Sequence, residues 1–450
     1  MLIPYGIQSY ARADLPQIKL SNLYVEKAPT LPNQEALLPR PGLGLYASRG
    51  TGPARGIYYD PGALNSALFL LSGTSLYGGA TNIGTVPGTS RVSMAATLNY
   101  LLIGTGSALY GSNGTTVAAI TFPDGAGVTS VGFLGGYAFA ARTGSRRIYF
   151  TLDPTTWDGI DYISAEQKNG NIVGFAVVAG QIWVFCDDRT EIFTLTGDAT
   201  APIQQVQGRL FDKGALTRDS IVTMDNTVVW VGHDGIVYRG ESTPTRISDH
   251  GIEELISESM TANITAWAYP WMGHLFYVLN TTGGTRAYDP ATQQWHEVES
   301  YGRPRWRASM GVLYGRDVIA ADDGSGNLWK LTNDLLSDNG DPLERWFSVI
   351  INKAGFIDSI AVDCSTGQTG DVNAAPGIME MRSSRDSGQS FVPWRQAGLG
   401  ANGNGRARAV FRRCGMVDQG NMLMQFRVAD PRPSRISYIR LNDGLGGRSR

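Results

Sequence analysis

Residues 384–391 read S-R-D-S-G-Q-S-F and fit the pattern S-x-D-x-G-x-x-F/W, the Asp-box found on β-hairpins of sugar-cleaving propellers. A carboxylate set among hydroxyls makes glycoside hydrolysis the first chemistry to test. The residues themselves point to a simpler role. Asp386 is placed to accept hydrogen bonds from backbone N–H groups of its own turn, Gly388 to take the left-handed conformation, and Phe391 to pack beneath. Ser384, Asp386, Gly388 and Phe391 are therefore expected to staple a hairpin, which needs no substrate. Sialidase-type catalysis would further require an arginine cluster, a Tyr–Glu nucleophile pair and an acid, drawn from blades whose sequence spacing can neither show nor exclude them. The box also occurs once, where propeller hydrolases repeat it on several blades.

Other chemical signatures are weaker. The stretch G-L-G-A-N-G (398–403) has the form G-x-G-x-x-G, but it runs into N-G-R-A-R-A-V-F, which reads as a strand and offers no helix N-terminus to a phosphate. His233, His250, His274 and His296 are scattered without metal-ligand spacing, and D-D-G-S-G-N (322–327) lacks the spaced acids of a calcium loop. No G-x-S-x-G elbow occurs. Cys186, Cys364 and Cys414 are odd in number and remote from one another, which suits buried free thiols. The expectation is a chain that is not an enzyme and has no metal or cofactor.

Charge is unevenly divided. Residues 1–340 carry 23 Lys and Arg against 30 Asp and Glu, a net −7; residues 341–450 carry 15 against 10, a net +5. All but one of those 15 cations are arginine, and R-A-R-A-V-F-R-R (406–413) is the densest run. Its bland reading is a solvated strand face. The sharper one makes Arg406, Arg408, Arg412 and Arg413 a docking surface for an acidic partner or a phosphate backbone, because the guanidinium fork binds carboxylate and phosphate bidentately. The start of the chain has no basic segment followed by an apolar core, and no apolar run approaches the roughly 18 residues of a membrane span. A soluble protein assembled in the cytoplasm is expected.

The elements that would position these residues repeat along the chain. Seven apolar runs, among them A-L-F-L-L-S-G (67–73), Q-I-W-V-F-C-D (181–187) and N-T-V-V-W-V-G (226–232), are each followed by an aliphatic–aromatic pair. The pairs begin at Leu76, Leu109, Ile148, Ile192, Val237, Ala287 and Leu328, at spacings of 33, 39, 44, 45, 50 and 41 residues. Those periods bracket propeller blades, whose inner strands are buried on both faces and so read as continuous apolar runs. The fold class is all-β: a β-propeller of six or seven blades followed by a smaller C-terminal β-sandwich. We divide the chain into an N-terminal extended segment (1–55), the propeller (56–335) and an Arg-rich sandwich (336–450). Ile252, Leu255, Ile256 and Ser259 fall at helical spacing and predict one short amphipathic helix within 249–260.

Several stretches occur in an order that resembles the packaged-DNA-stabilisation proteins of short-tailed bacteriophages, the tail-hub or nozzle family. They are S-N-L-Y-V-E-K-A-P (21–29), L-L-P-R-P-G-L (37–43), A-R-G-I-Y-Y-D (54–60), S-R-V-S-M-A (90–95), T-E-I-F-T-L-T-G-D (190–198), T-R-I-S-D-H-G-I-E-E-L-I (245–256) and M-E-M-R-S-S-R-D-S-G-Q-S-F (379–391). Within them Asn22, Glu26, Pro41, Gly42, Arg91, Ser93, Met94, Glu191, Thr196 and Gly197 stand at family-motif positions. The resemblance implies a structural virion protein of the phage tail. It would be a homohexameric ring below the portal and head-to-tail adaptor, prolonging the channel for double-stranded DNA, retaining packaged genome and carrying a tailspike, fibre or tail needle. The alternatives are a propeller glycosidase and a glycan- or protein-binding propeller.

Overall fold

The computed structural model describes the chain apart from residues 1–5, 7–9, 13–14, 28–34, 199, 335, 353, 367–376, 401–406, 418–421, 433 and 443–450. Arg406 and residues 401–403 of the stretch 398–403 thus lie outside the described residues. The chain forms two compact units, each assembled from separated segments: one from 45–283 and 307–330, the other from 1–44, 284–306 and 331–450.

The first unit is built on seven inner hairpins. Their opening strands are Ala54–Tyr58, Ser93–Ala96, Val128–Leu134, Ile172–Val178, Val222–Met224, Thr265–Trp271 and Ala308–Tyr314, each paired antiparallel with the strand that follows it. Each opening strand packs against the next, and the seventh returns to pack against the first, so the ring closes. This is a seven-bladed β-propeller, and closure leaves no free inner edge. The apolar runs singled out in the sequence are the second strands: Gln181–Cys186 and Thr227–Val231 are almost wholly buried, because a blade covers each face. Aromatics join blade to blade, as where Trp230 of the fifth meets Phe185 of the fourth with ring centroids 5.0 Å apart.

The helix His250–Ser257 follows the fifth blade. Asp249 caps it by accepting from Ile252 N at 3.0 Å, and Ile252 and Ile256 are its buried residues. Arg246 grips Glu253 through two hydrogen bonds of 2.8 Å, tying the preceding strand to its first turn.

The second unit holds a β-sandwich. One sheet runs in the order Leu23–Lys27, Glu35–Pro39, Ser434–Leu441, Gly355–Thr366, Ala407–Val417, and the other in the order Arg345–Ile351, Met422–Val428, Ile378–Ser384, Arg395–Gly398. The two N-terminal strands therefore share a sheet with the last strand, Leu37 lying opposite Ile436. Between the sheets lies a core that includes Leu23, Leu37, Phe347, Val362, Met381, Phe411 and Phe426.

Candidate functional site

The Asp-box forms a closed local network. Ser384 Oγ donates to Asp386 Oδ1 at 2.6 Å and accepts from Gly388 N at 2.8 Å, while Asp386 accepts from Ser390 N at 2.8 Å. Gly388 sits at φ +98°, where a side chain would be strained. Phe391, half-buried, lies 4.0 Å from the Arg382 guanidinium, which also faces Trp394 at 4.7 Å. Arg427 faces Trp394 at 4.8 Å and Trp346 at 5.4 Å, and Lys19 covers Trp346 at 4.6 Å. The box thus ends in a stack of three cations and three aromatic rings.

The carboxylates beside the stack are engaged. Arg427 donates to Glu380 Oε2 at 2.7 Å and to Glu344 Oε1 at 3.2 Å. Hydrogen bonds from Ser384 and Ser390 hold the Asp386 carboxyl far below the usual carboxylate range. A group so held is a poor general acid.

The pH consequence follows from the sign of that shift. A depressed folded-state pKa contributes stability above the unfolded carboxylate value of about 3.9, and that contribution is lost as pH falls through the folded value. We expect the Asp386 carboxyl to titrate well below that value in an NMR titration, with the Ser390 amide staying protected until it does. A midpoint at the ordinary value would show that the turn does not hold the carboxylate.

The arginine run divides in two. Arg408 donates to Asp363 Oδ1 at 2.5 Å, and Arg440 donates to Asp363 Oδ2 at 2.9 Å, so Arg408 is spent inside its own sheet. Arg412 and Arg413 are exposed, and Arg413 takes φ +56° at a bulge between the strands Gly355–Thr366 and Ala407–Val417.

The N-terminal motif positions meet at a buried node of the same unit. Asn22, 1% exposed, donates from Nδ2 to Glu344 O at 2.7 Å, while its Oδ1 accepts from Arg40 Nε at 2.8 Å and Glu299 N at 3.0 Å. Arg40 then grips Asp338 bidentately at 2.8 and 3.0 Å and donates to Pro41 O and Glu299 O. Its guanidinium lies 5.1 Å from the Trp306 ring. Pro41 and Gly42 are buried beside it, and Glu26 is half-buried on the strand Leu23–Lys27. A polar cavity of about 290 Å³ adjoins the node, lined by Lys19, Asn22, Glu299, Tyr301, Arg303 and Glu344 among others.

In the propeller unit the motif positions are dispersed. Glu191, buried, accepts from Arg189 Nε at 2.7 Å and from Gln205 at 3.1 Å, and Arg189 also donates to Ala165 O and Asn169 O. Thr196 and Gly197 form an exposed turn, with Gly197 at φ +81°. Ser93 Oγ accepts from Val131 N at 3.1 Å, joining the second and third blades. Met94 packs where a Cβ on Gly56 of the first blade would come within 2.9 Å of it. The Arg91 carbonyl accepts from Arg218 Nη2 at 2.8 Å, and Arg218 Nη1 donates to Thr129 O at 2.6 Å. One guanidinium therefore bridges the starts of the second and third inner strands from a position before the fifth.

Sequence reading missed these arginines because their partners are mostly backbone carbonyls, which any residue type supplies. Arg55 is the extreme case: 3% exposed, it donates to the carbonyls of Gly73, Val86, Pro87 and Ser90. The available signal was an arginine inside an otherwise apolar or turn-like motif, as in L-L-P-R-P-G-L.

All three cysteines are buried and free. Burial pushes Cys186 up to about 12 and Cys364 to about 11, and raises Cys414. In the native chain at pH 8 none should react with a thiol reagent within minutes, and all three should react in denaturant. Rapid modification of any one in the native state would contradict the burial.

Fold and site together define a closed β-propeller scaffold braced by buried arginines, with its conspicuous carboxylates bound in internal hydrogen bonds. The chain belongs to the phage-stabilisation family described as "Bacteriophage P22 Gp10, beta-propeller", whose model matches residues 1–336. That makes it a structural, non-enzymatic component of the phage virion. No curated protein matches it. Among solved structures it is similar to the WD40 β-propeller domain of Doa1 (13% identity, TM-score 0.42, 64% of this chain and 96% of that one). It is also similar to the β-propeller domain of Myceliophteria thermophila Cps50 (10%, 0.42, 64% and 100%). A third likeness is to the extracellular domain of B. thetaiotaomicron BT4673 (11%, 0.44, 79% and 48%).

Proposed function

We propose that the chain is a tail-hub or nozzle protein: copies form a ring, read as a homohexamer, that docks below the portal and its head-to-tail adaptor. The ring prolongs the channel for double-stranded DNA, retains the packaged genome and carries a tailspike, fibre or tail needle. The observation that carries this reading is the family match over residues 1–336. Two features support it. Arg218 reaches from before the fifth inner strand to the starts of the second and third, so the DNA path would run between copies and not through the axis of one. The net charge of −7 over residues 1–340 suits a wall past which DNA slides, because a basic surface would release counterions from the duplex and hold it.

The test is imaging of the purified protein alone and mixed with portal–adaptor complex, alongside particles assembled without it. Rings on the adaptor end, and nuclease-accessible DNA in the deficient particles, are expected. Globules that ignore the adaptor, or deficient particles that keep their DNA, would overturn the reading.

A further inference from the structure

Two exposed apolar pairs with opposite charge rims stand out on this molecule. In the sandwich unit, Phe356 and Met416 lie directly opposite each other on the strands Gly355–Thr366 and Ala407–Val417, and they are 62% and 57% exposed. Around them stand the exposed Arg412 and Arg413, with Asp358 on the neighbouring strand. Arg395 donates to the carbonyls of both Arg412 and Arg413, which holds the bulge that presents them. The Asp-box adds Arg385, also exposed, whose Nη2 comes within 2.9 Å of where a Cβ on Gly415 would stand. An aromatic and a methionine ringed by arginines have the composition of a protein-binding hot spot.

In the propeller unit, the loop from 152 to 161 joins the third blade's strands Arg147–Thr151 and Tyr162–Ser164. It reads L-D-P-T-T-W-D-G-I-D, with three carboxylates and no cation. Leu152 and Ile160, at its two ends, are 68% and 79% exposed. Asp153, Asp158 and Asp161 are exposed beside them. The loop is fixed from within. Trp157 is buried against Phe122 at 5.6 Å and donates to Pro154 O at 3.0 Å, while Asp153 accepts from Thr155 N and Asp158 from Ile160 N. A preorganised loop loses little entropy on binding.

We infer that copies of this chain meet head to tail, with the arginine-rimmed Phe356–Met416 pair of one copy seated on the acidic, aliphatic 152–161 loop of the next. The occupant is a second copy because the complementary charge and the complementary apolar pair stand on the same chain. Such a contact joins two different patches, so repeating it closes a ring when the rotation per copy allows. The inference rests on the ring reading proposed above and names the surfaces that make the ring. It gives the Asp-box a use: the box fixes Arg385 on the rim. Because the charges are exposed, the contact weakens with added salt.

The experiment follows assembly of the full chain, alone and on portal–adaptor complex, by mass photometry and negative-stain imaging. It compares wild type, R412E/R413E, D158R/D161R and the combination of all four substitutions, with circular dichroism to confirm that each variant folds. Each double reversal is expected to raise the concentration for half-assembly by about tenfold or more, since like charges are brought together. The four-fold swap should recover most of the loss. Unaltered assembly of either double variant would overturn the contact while leaving the ring reading intact. So would loss in R412E/R413E alone, which would assign the arginines to a different acidic partner. If wild type forms no ring with or without the adaptor, the ring reading and the contact fall together.

Discussion

Replacing Arg40 with alanine is expected to lower the stability of the unit it anchors by about 3–5 kcal/mol. Arg40 and Asp338 have side chains only 1% exposed, so neither charge has water to fall back on. Removing the guanidinium strips Asp338 of both bonds of a bidentate pair and leaves it the Ser300 hydroxyl at 2.8 Å. Asn22 Oδ1 loses one of its two donors, and the Pro41 and Glu299 carbonyls lose theirs. An uncompensated buried carboxylate is the dominant cost. Arg40→Lys should recover only part of it, because an ammonium cannot reproduce the planar fork. The double variant Arg40→Met with Asp338→Leu should recover more, since it removes both charges together. Amide exchange read on the strands Leu23–Lys27 and Arg345–Ile351 measures this locally, which suits a chain of two compact units. Protection lowered by less than 1 kcal/mol in R40A would show that the node is dispensable.

What the sequence disclosed and what it hid follow from the range of the interactions. Each inner hairpin was visible because its second strand is covered on both faces, so the strand must be apolar along its whole length, as Q-I-W-V-F-C is. The helix was visible because Ile252, Leu255, Ile256 and Ser259 recur at helical spacing; the Asp249 cap was read only from the structure. The Asp-box network was visible because every bond in it spans four residues or fewer. The node of Arg40 was not, since Asp338 stands 298 residues away and neither Asp338 nor Glu299 belongs to a motif. The cation–aromatic stack depends on Trp346, Arg382, Trp394 and Arg427 arriving on one face from four separate strands or loops, a matter of register that no local pattern records. The interleaving of the two units was likewise hidden: residues 284–306 hold the repeat's aliphatic–aromatic pair at Ala287, yet they cluster with the sandwich segments. Blade count stayed open between six and seven because residues 1–55 could have supplied a closing strand; the ring instead closes by the packing of Ala308–Tyr314 on Ala54–Tyr58.

The propeller's weakest point under substitution should be the contact between its fourth and fifth blades, and Trp230→Ala is expected to cost about 3–5 kcal/mol there. Trp230 is fully buried on the strand Thr227–Val231. Its ring lies 5.0 Å from Phe185 and 6.5 Å from Trp183 in the fourth blade, and 5.8 Å from Tyr238 in its own. Truncation opens a cavity among rings too rigid to collapse into it and takes from Gly214 O the indole donor that reaches it at 3.2 Å. Trp230→Phe keeps most of the filling and loses the hydrogen bond, so about 1–2 kcal/mol is expected. A closed ring magnifies such a defect, because opening one blade contact exposes two apolar faces at once. Exchange protection in Gln181–Cys186 and Thr227–Val231 should fall in W230A well before that of the sandwich core around Phe347 and Phe426. If the chain works as proposed, particles built with W230A should also release their DNA at lower temperature than wild type. Normal retention together with the local loss of protection would show that the propeller's stability does not limit how the virion holds its genome.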